Sequence, residues 1–353
     1  MNKIEQLDRR LEETRNSLST DRLDMSFGEI MAMYEREEIV IDPDFQRLFR
    51  WDIYQRTRFI ESLLIGIPIP PIFVAEDKNG RWEVVDGLQR ISTVLSFFGI
   101  LRTMPDKNNW IMLAGDIAND LENLACKDLP LKFQLNIKRS SCRIEIIKWN
   151  SAFDMRYELF NRLNTGGSVL TDQEIRNAIF RGVSQEFNAF LRRCAEIPGF
   201  IKLIEPTERQ IEQLYMDELV LRFASLYNFN KEQSDSNNIS QHMTNYMKIA
   251  VFQPEKIIDL EEVFRTMIQI LEPIGSGIFR GTNHVFSTSL FDCITVGISK
   301  YLKRYATERT DIIIEKINNL KNSENFKKAS GSASASKSRL IKRIEVAEEI
   351  FAN

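Results

Sequence analysis

An α+β chain is predicted, with a small mixed α/β domain first and a mainly helical domain after it. Two short apolar runs, PIFVAE and WEVVD, are separated by DKNG, and its Asn79-Gly80 step favours a tight hairpin turn. CRIEIIKW, residues 142–149, alternates like a third strand. From about residue 184 onward the patterns are almost all helical, as in ERQIEQLYMDELVLRFASLY, and add no further strand.

The elements follow in order. Residues 2–18 have charged helical composition, and SFGE offers Ser26 as an N-cap with Glu29 three positions on, a capping box opening a helix to about Glu38. IDPDFQRLFRWD breaks the helical period at Pro43 and carries Arg47, Arg50 and Trp51 in a loop, after which YQRTRFIESLLIG resumes an amphipathic helix. Asp86 ends the second strand. Gly87 to Phe98 then reads as a helix whose Ile91, Val94, Leu95 and Phe98 face the core, with Gln89 opposite that stripe and Arg90 on its flank, both free to reach a ligand. Residues 152–163 read as a helix, and RLNTGGSVLTDQEIRNAIF is a Gly-Gly loop followed by a second capping box, Thr171 with Glu174. Between Lys321 and Arg343 the composition shifts to KNSENFKKASGSASASKSRLIKR, and a mobile segment is expected near 321–338. These patterns divide the chain into residues 1–180 and 181–353.

Composition excludes several function classes. A net charge of -3 and a pI near 5.8 argue against coating nucleic acid by bulk electrostatics, so any DNA contact must be a local patch. Cys126, Cys142, Cys194 and Cys293 are too far apart for a CxxC pair or a zinc knuckle and read as reduced thiols of a cytoplasmic protein. The start, MNKIEQLDRRLEETR, is charged where a signal peptide is apolar, and SLLIGIPIPPIFVA is too short and too proline-rich to span a membrane. Neither His242 nor His284 sits at the spacing an HNH nuclease, a serine-hydrolase triad or an HExxH metalloprotease requires.

Four stretches are candidate sites. In VVDGLQR, Asp86 and Gln89 have the spacing of a D-x-x-Q capping box, while a strand, a Gly turn and a helix N-terminus also make an anion site at whose mouth Arg90 would grip phosphate. In PDFQRLFRW, Gln46 and Arg47 repeat the Gln-Arg pair and Arg50 follows beside Trp51, a pattern that serves a salt-bridged surface or a second half of the same anion site. The glycines of LNTGGSVL allow a backbone nest or a plain turn, without the GK[ST] ending of a Walker A loop. The basic tail, with Lys327, Lys328, Lys337, Arg339, Lys342 and Arg343, reads as a solvated linker or as a weak DNA or phosphate contact.

Taken in order, IDPDFQRLFRWD, ESLLIGIPIPPIFVAE, VVDGLQR and LFNRLNTGGSVLTDQEIRNA resemble the DGQQR-motif domain, long called a domain of unknown function, that forms the N-terminal half of GmrSD-type type IV restriction enzymes. FSTSLFDCITVGISKYL and SKSRLIKR are similar to the helical tail of that family. The resemblance implies a ParB/sulfiredoxin-like fold and nucleotide binding and hydrolysis, with an NTP and Mg2+ as cofactors, in bacterial defence against phage or modified DNA. The motif falls on Asp86, Gly87, Gln89 and Arg90 as catalytic and phosphate-holding residues, with Leu88 where the family has a second glutamine. Gln46, Arg47, Arg50, Asn164, Gly166 and Gly167 are implied nucleotide contacts, and no metal ligand is fixed beyond a role for Asp86.

An HNH half cuts DNA in GmrSD-type enzymes; with no HNH pattern here, a separate nuclease or effector protein is the expected partner. Nucleotide, DNA and a second copy of the chain are the other implied partners. Three readings follow: an NTP-hydrolysing sensor or regulator, a ParB-like DNA-nicking nuclease, and a non-catalytic DNA- or protein-binding module.

Overall fold

The computed structural model describes residues 3–16, 18–41, 50–149, 151, 158–159, 162, 171–181, 183–227, 229, 236–331 and 334–352. The chain forms two compact units, Met1–Leu170 and Thr171–Asn353.

In the first unit the described elements are α1 (Lys3–Asn16), β1 (Thr20–Ser26), α2 (Phe27–Glu35), β2 (Ile39–Val40), α3 (Ile53–Ile65), β3 (Ile72–Glu76), β4 (Trp82–Asp86), α4 (Leu88–Phe97), α5 (Leu131–Arg139) and β5 (Ser141–Ile147), with short 3-10 turns between α4 and α5. The strands make one mixed sheet in the order β1-β5-β3-β4-β2. β3 and β4 are the antiparallel hairpin expected around Asn79-Gly80, β3 runs parallel to β5, and β2 runs parallel to β4. In β5, Cys142, Ile144 and Ile146 point inward while Ser141 and Arg143 face solvent, the alternation that a sheet covered on one face requires. Against the inward side chains pack Phe27 and Ile30 of α2, Phe59, Ile60 and Leu63 of α3, and Ile91, Val94 and Leu95 of α4. Glu61 of α3 is buried, and its carboxylate accepts from the backbone N–H groups of Asp116 (3.2 Å), Ile117 (2.9 Å) and Ala118 (2.7 Å).

Ser26 caps α2 by accepting from Glu29 N at 3.2 Å, one half of the expected box, while the Glu29 carboxylate accepts from Arg36 Nη2 at 3.0 Å. The helix stops at Glu35 rather than Glu38, because Glu37 takes φ 63° and turns the chain into β2. β1 escapes the sequence reading because TDRLDMS carries three charges among its seven residues; it forms by pairing antiparallel with β5 along its whole length, Asp24 opposite Arg143. Most of the helix expected over 152–163 lies outside the described residues.

The second unit is helical: α6 (Asp172–Arg181), α7 (Gln185–Ala195), α8 (Pro198–Ile204), α9 (Glu208–Glu212), α10 (Tyr215–Tyr227), α11 (Ile239–Ala250), α12 (Glu255–Leu271), α13 (Thr288–Lys300), α14 (Leu302–Tyr305), α15 (Thr310–Asn322), α16 (Glu324–Ser330) and α17 (Lys337–Ala352). Thr171 and Glu174 form the expected capping box in both directions, Thr171 N to Glu174 Oε2 at 2.6 Å and Glu174 N to Thr171 Oγ1 at 3.2 Å. The core is phenylalanine-rich, with ring centroids 5.1 Å apart for Phe200–Phe264 and Phe223–Phe264 and 5.3 Å for Phe279–Phe291. Gly297 of α13 lies so close to the Phe351 ring of α17 that a Cβ there would approach it to 2.3 Å.

One expectation for the tail is corrected, and another gains detail. Within the segment near 321–338, Ser323 caps α16, and Phe326 and Ala329 are buried. Arg343 is not a DNA or phosphate contact, for it is fully buried, with Nη2 donating to Asp292 Oδ2 at 3.0 Å and Nη1 to the Ser334 carbonyl. Arg222 donates to the same carboxylate through Nε and Nη2, so one buried aspartate serves two guanidinium groups from α10 and α17. Helical spacing holds the signal, since Leu340, Arg343, Ile344 and Ala347 fall on one buried face while Lys342 is exposed.

Removing the shared carboxylate with Asp292→Ala leaves two buried guanidinium groups without their counter-charge. The expected cost is about 3–5 kcal/mol, measured by urea unfolding, with amide hydrogen exchange rising along α17.

Candidate functional site

The Asp-Gly-x-Gln-Arg stretch spans the step from β4 into α4. Asp86 is the last residue of β4, Gly87 takes φ 98°, and α4 begins at Leu88. Glycine is required at 87 twice over: the left-handed backbone disfavours a side chain, and a Cβ would come within 2.8 Å of Ile72 Cγ1. Gly87 itself occupies the N-cap position, and no side chain caps this end of the helix.

That shifts the frame by one residue from the expected D-x-x-Q box. Asp86 does not cap α4; its Oδ2 accepts from Arg90 Nη2 at 2.6 Å, and its side chain is 40% exposed. Gln89 lies in the first turn but does not reach back to the cap. Its Oε1 accepts two backbone N–H groups, those of Arg50 and Trp51, each at 3.0 Å. Leu88, at the first of the motif's two glutamine positions, packs partly buried against the core.

Arg90 is not free to reach a ligand as its place on the helix flank suggested. It is 9% exposed, and besides Asp86 its guanidinium donates through Nη1 to the carbonyls of Pro70 and, at 3.2 Å, Pro71. A guanidinium this buried is stable only when its N–H groups are satisfied, and the proline strap meets that demand. Pro70 and Pro71 stand out in the sequence only as helix and membrane breakers; their function as acceptors depends on a contact 20 residues along the chain.

Arg50 is partly exposed beside this helix end, and Trp51 packs edge-on against Phe59 with centroids 5.5 Å apart. Asp52 then opens α3 with a capping box to Gln55. Gln46, Arg47, Asn164, Gly166 and Gly167 lie outside the described residues. Of the tail residues, Lys342 is exposed and Lys337 and Arg339 are partly so. His242 donates through Nε2 to the Ser225 carbonyl (3.0 Å) and packs against Phe229, while burial depresses its pKa; it is part of the helical packing. All four cysteines are buried reduced thiols, with Cys142 and Cys126 pushed up to about 11 by burial. No cluster of three or more His, Cys, Asp or Glu residues able to hold a metal occurs among the described residues, and none of their helices is long and apolar enough to cross a membrane.

A strand ending in an acidic residue, a left-handed glycine and a helix start without a side-chain cap form this corner of a small mixed-sheet domain. The family comparison agrees with the sequence resemblance. Residues 27–181 match the model for the GmrSD restriction endonuclease N-terminal domain. The match ends at the last residue of α6, inside the second compact unit. No curated protein and no solved structure matches the chain.

If Gln89 and Arg90 brace the site, their substitution acts on stability. Arg90→Ala is expected to cost about 2–4 kcal/mol in thermal or urea unfolding. Gln89→Ala should cost about 1–2 kcal/mol and speed hydrogen exchange at the Arg50 and Trp51 amides, whereas Gln89→Glu, which keeps the acceptor, should not. An Arg90→Ala protein that melts like the parent would remove the bracing role.

Proposed function

We propose that this chain is a nucleotide-binding, NTP-hydrolysing sensor or regulator of a type IV restriction system, acting on behalf of a separate nuclease. The observation that carries the reading is the start of α4, a helix end behind a left-handed glycine with no side-chain cap, directly preceded by the half-exposed Asp86 and tied through Gln89 to the backbone of the partly exposed Arg50. Such an end carries roughly half a positive charge and directs N–H groups outward, the arrangement that holds a phosphate. The family match over residues 27–181 supplies the restriction context.

In this reading the first-turn amides of α4 and the Arg50 guanidinium receive the phosphates. Gln46 and Arg47, and Asn164, Gly166 and Gly167, remain candidate contacts from the sequence. Mg2+ bound with a nucleotide uses one or two carboxylates and the phosphates themselves, and Asp86, with Oδ2 on Arg90 and its side chain partly exposed, suits that demand; the ion would neutralise charge on the phosphoryl oxygens. Gln89 and Arg90 contribute by position: one fixes the Arg50–Trp51 backbone, the other the angle at which β4 delivers α4. Lys337, Arg339 and Lys342 are left as the tail's candidate DNA contacts.

The test is phosphate release by the purified chain with each of the four NTPs and Mg2+, with and without DNA. Arg50→Ala should lower turnover about a hundredfold with an unchanged melting temperature, separating a ligand contact from the bracing pair. A folded protein that neither binds nor hydrolyses any NTP would overturn the reading and leave a DNA- or protein-binding module; metal-dependent nicking of DNA without NTP would indicate the nuclease instead.

A further inference from the structure

We propose that β1 is a self-complementary sheet edge, through which two copies of the chain pair antiparallel about a two-fold axis at Leu23. The proposal is independent of the nucleotide reading. β1 and β2 are the two outer strands of the sheet; β2 has two residues and β1 has seven. A long edge strand is a template for another strand unless something blocks it.

The hydrogen-bond phase of β1 is fixed by its inner partner. Lys148 N donates to Ser19 O and Phe27 N to Ser140 O, so in the β1–β5 ladder the odd-numbered residues of β1 bond to β5. The backbone groups of Thr20, Arg22, Asp24 and Ser26 therefore point outward. An added antiparallel strand must pair even residues with even residues, which for a second copy leaves three central registers. Pairing Arg22 with itself, or Asp24 with itself, sets like charges directly opposite each other. The register between them pairs Arg22 with Asp24 of the second copy and Asp24 with its Arg22, both as hydrogen-bonded pairs, and places Leu23 against Leu23 in the closer, non-hydrogen-bonded position.

Charge complementarity extends past the two edges. On the solvent face, Asp24 already lies opposite Arg143 and holds it through Nε (3.0 Å) and Nη2 (3.1 Å), and Arg22 lies opposite Glu145. Across a dimer the row reads Arg143, Asp24, Arg22 and Glu145, alternating in sign at each step, and the two-fold axis repeats it in reverse. On the other face Leu23, opposite the buried Ile144, is 44% exposed in the single chain, and a second Leu23 would cover it. Leu7 and Leu11 of α1, 55% and 58% exposed at i and i+4, precede the strand and supply further apolar area toward the roughly 1,600 Å² of a stable interface. In the single chain the outward N–H of Arg22 donates to Asp21 Oδ1 at 2.8 Å, and that side chain must swing aside as the strands pair.

The experiment is sedimentation equilibrium on the full chain and on Arg22→Asp and Asp24→Arg, each checked for a cooperative melt. The parent is expected to be a dimer. Each variant alone should raise the dimer Kd roughly ten- to a hundredfold, since symmetry puts two like-charge pairs in every dimer. An equimolar mixture of the two variants should recover dimers, seen as a mixed species in native mass spectrometry, because every 22–24 pair is again of opposite sign. Leu23→Lys, which sets two ammonium groups on the axis, provides the same loss should either charge variant fail to fold. A monomeric parent, a dimer whose Kd is indifferent to all three substitutions, or a mixture that stays monomeric would each overturn the proposal.

Discussion

Two adjacent side chains hold the chain on both sides of α3. Gln89 accepts the N–H groups of Arg50 and Trp51, just before that helix, and Arg90 donates to the carbonyls of Pro70 and Pro71, just after it. The rest of the first unit depends on this clamp, because α3 supplies Phe59, Ile60 and Leu63 to the core and Glu61 to the 116–118 loop. Proline makes the arrangement possible. Lacking an N–H, Pro70 and Pro71 are poor ladder members, and their carbonyls are available to a side chain at the point where β3 begins. Hydrogen bonds to a charged group contribute about 1.5–3 kcal/mol each, enough to offset the desolvation of one guanidinium when several are made together.

The second unit meets the same problem with different chemistry. Arg222 and Arg343 are buried among helices rather than against a strap of free carbonyls, so the counter-charge is a side chain, Asp292. This joins two distant stretches of the chain, since Asp292 lies in FSTSLFDCITVG and Arg343 closes SKSRLIKR, 51 residues apart in sequence. Arg176, in TDQEIRNA, is a third buried guanidinium; its hydrogen bonds go to Gln173 Oε1 at 2.9 Å, Ser240 Oγ at 2.8 Å and Thr244 Oγ1 at 3.2 Å, and the Asp172 carboxylate lies 3.8 Å away.

The sequence was legible wherever the cause is local. The Asn79-Gly80 hairpin, the Ser26 cap and the reciprocal Thr171–Glu174 box depend on residues within a few positions of one another, and each formed. Where the cause is distant, spacing misled. Asp86 and Gln89 have the separation of a capping box, but Gly87 can adopt φ 98° and takes the cap position, leaving Gln89 at the second helical residue with its acceptor turned toward a loop nearly forty residues earlier. β1 was missed for a related reason: its charged residues are matched to β5, 119 residues away at the Asp24–Arg143 pair. For Arg343 the helical period, with Leu340, Ile344 and Ala347 on the same face, is the informative signal, and the basic composition of the run hides it.

The clamp also bears on how a ligand at the start of α4 would be felt elsewhere. Gln89 is a first-turn residue, so its amide N–H belongs to the helix end while its side chain holds Arg50 and Trp51. An anion drawn to that end and to the Arg50 guanidinium would pull on both sides of the same pair of hydrogen bonds. Trp51 passes any displacement to Phe59, and Asp52 to the first turn of α3 through its box with Gln55. At the other end of α3 the strap is fixed by Arg90, whose remaining partner is Asp86, the carboxylate nearest the helix start. A bound cation competing for Asp86 would therefore loosen the hold on Pro70 and Pro71 while a bound anion tightens the hold on Arg50. The two ends of α3 would respond in opposite senses to the two halves of a metal–nucleotide complex, which gives a binding event at one turn of helix a rigid element through which to act.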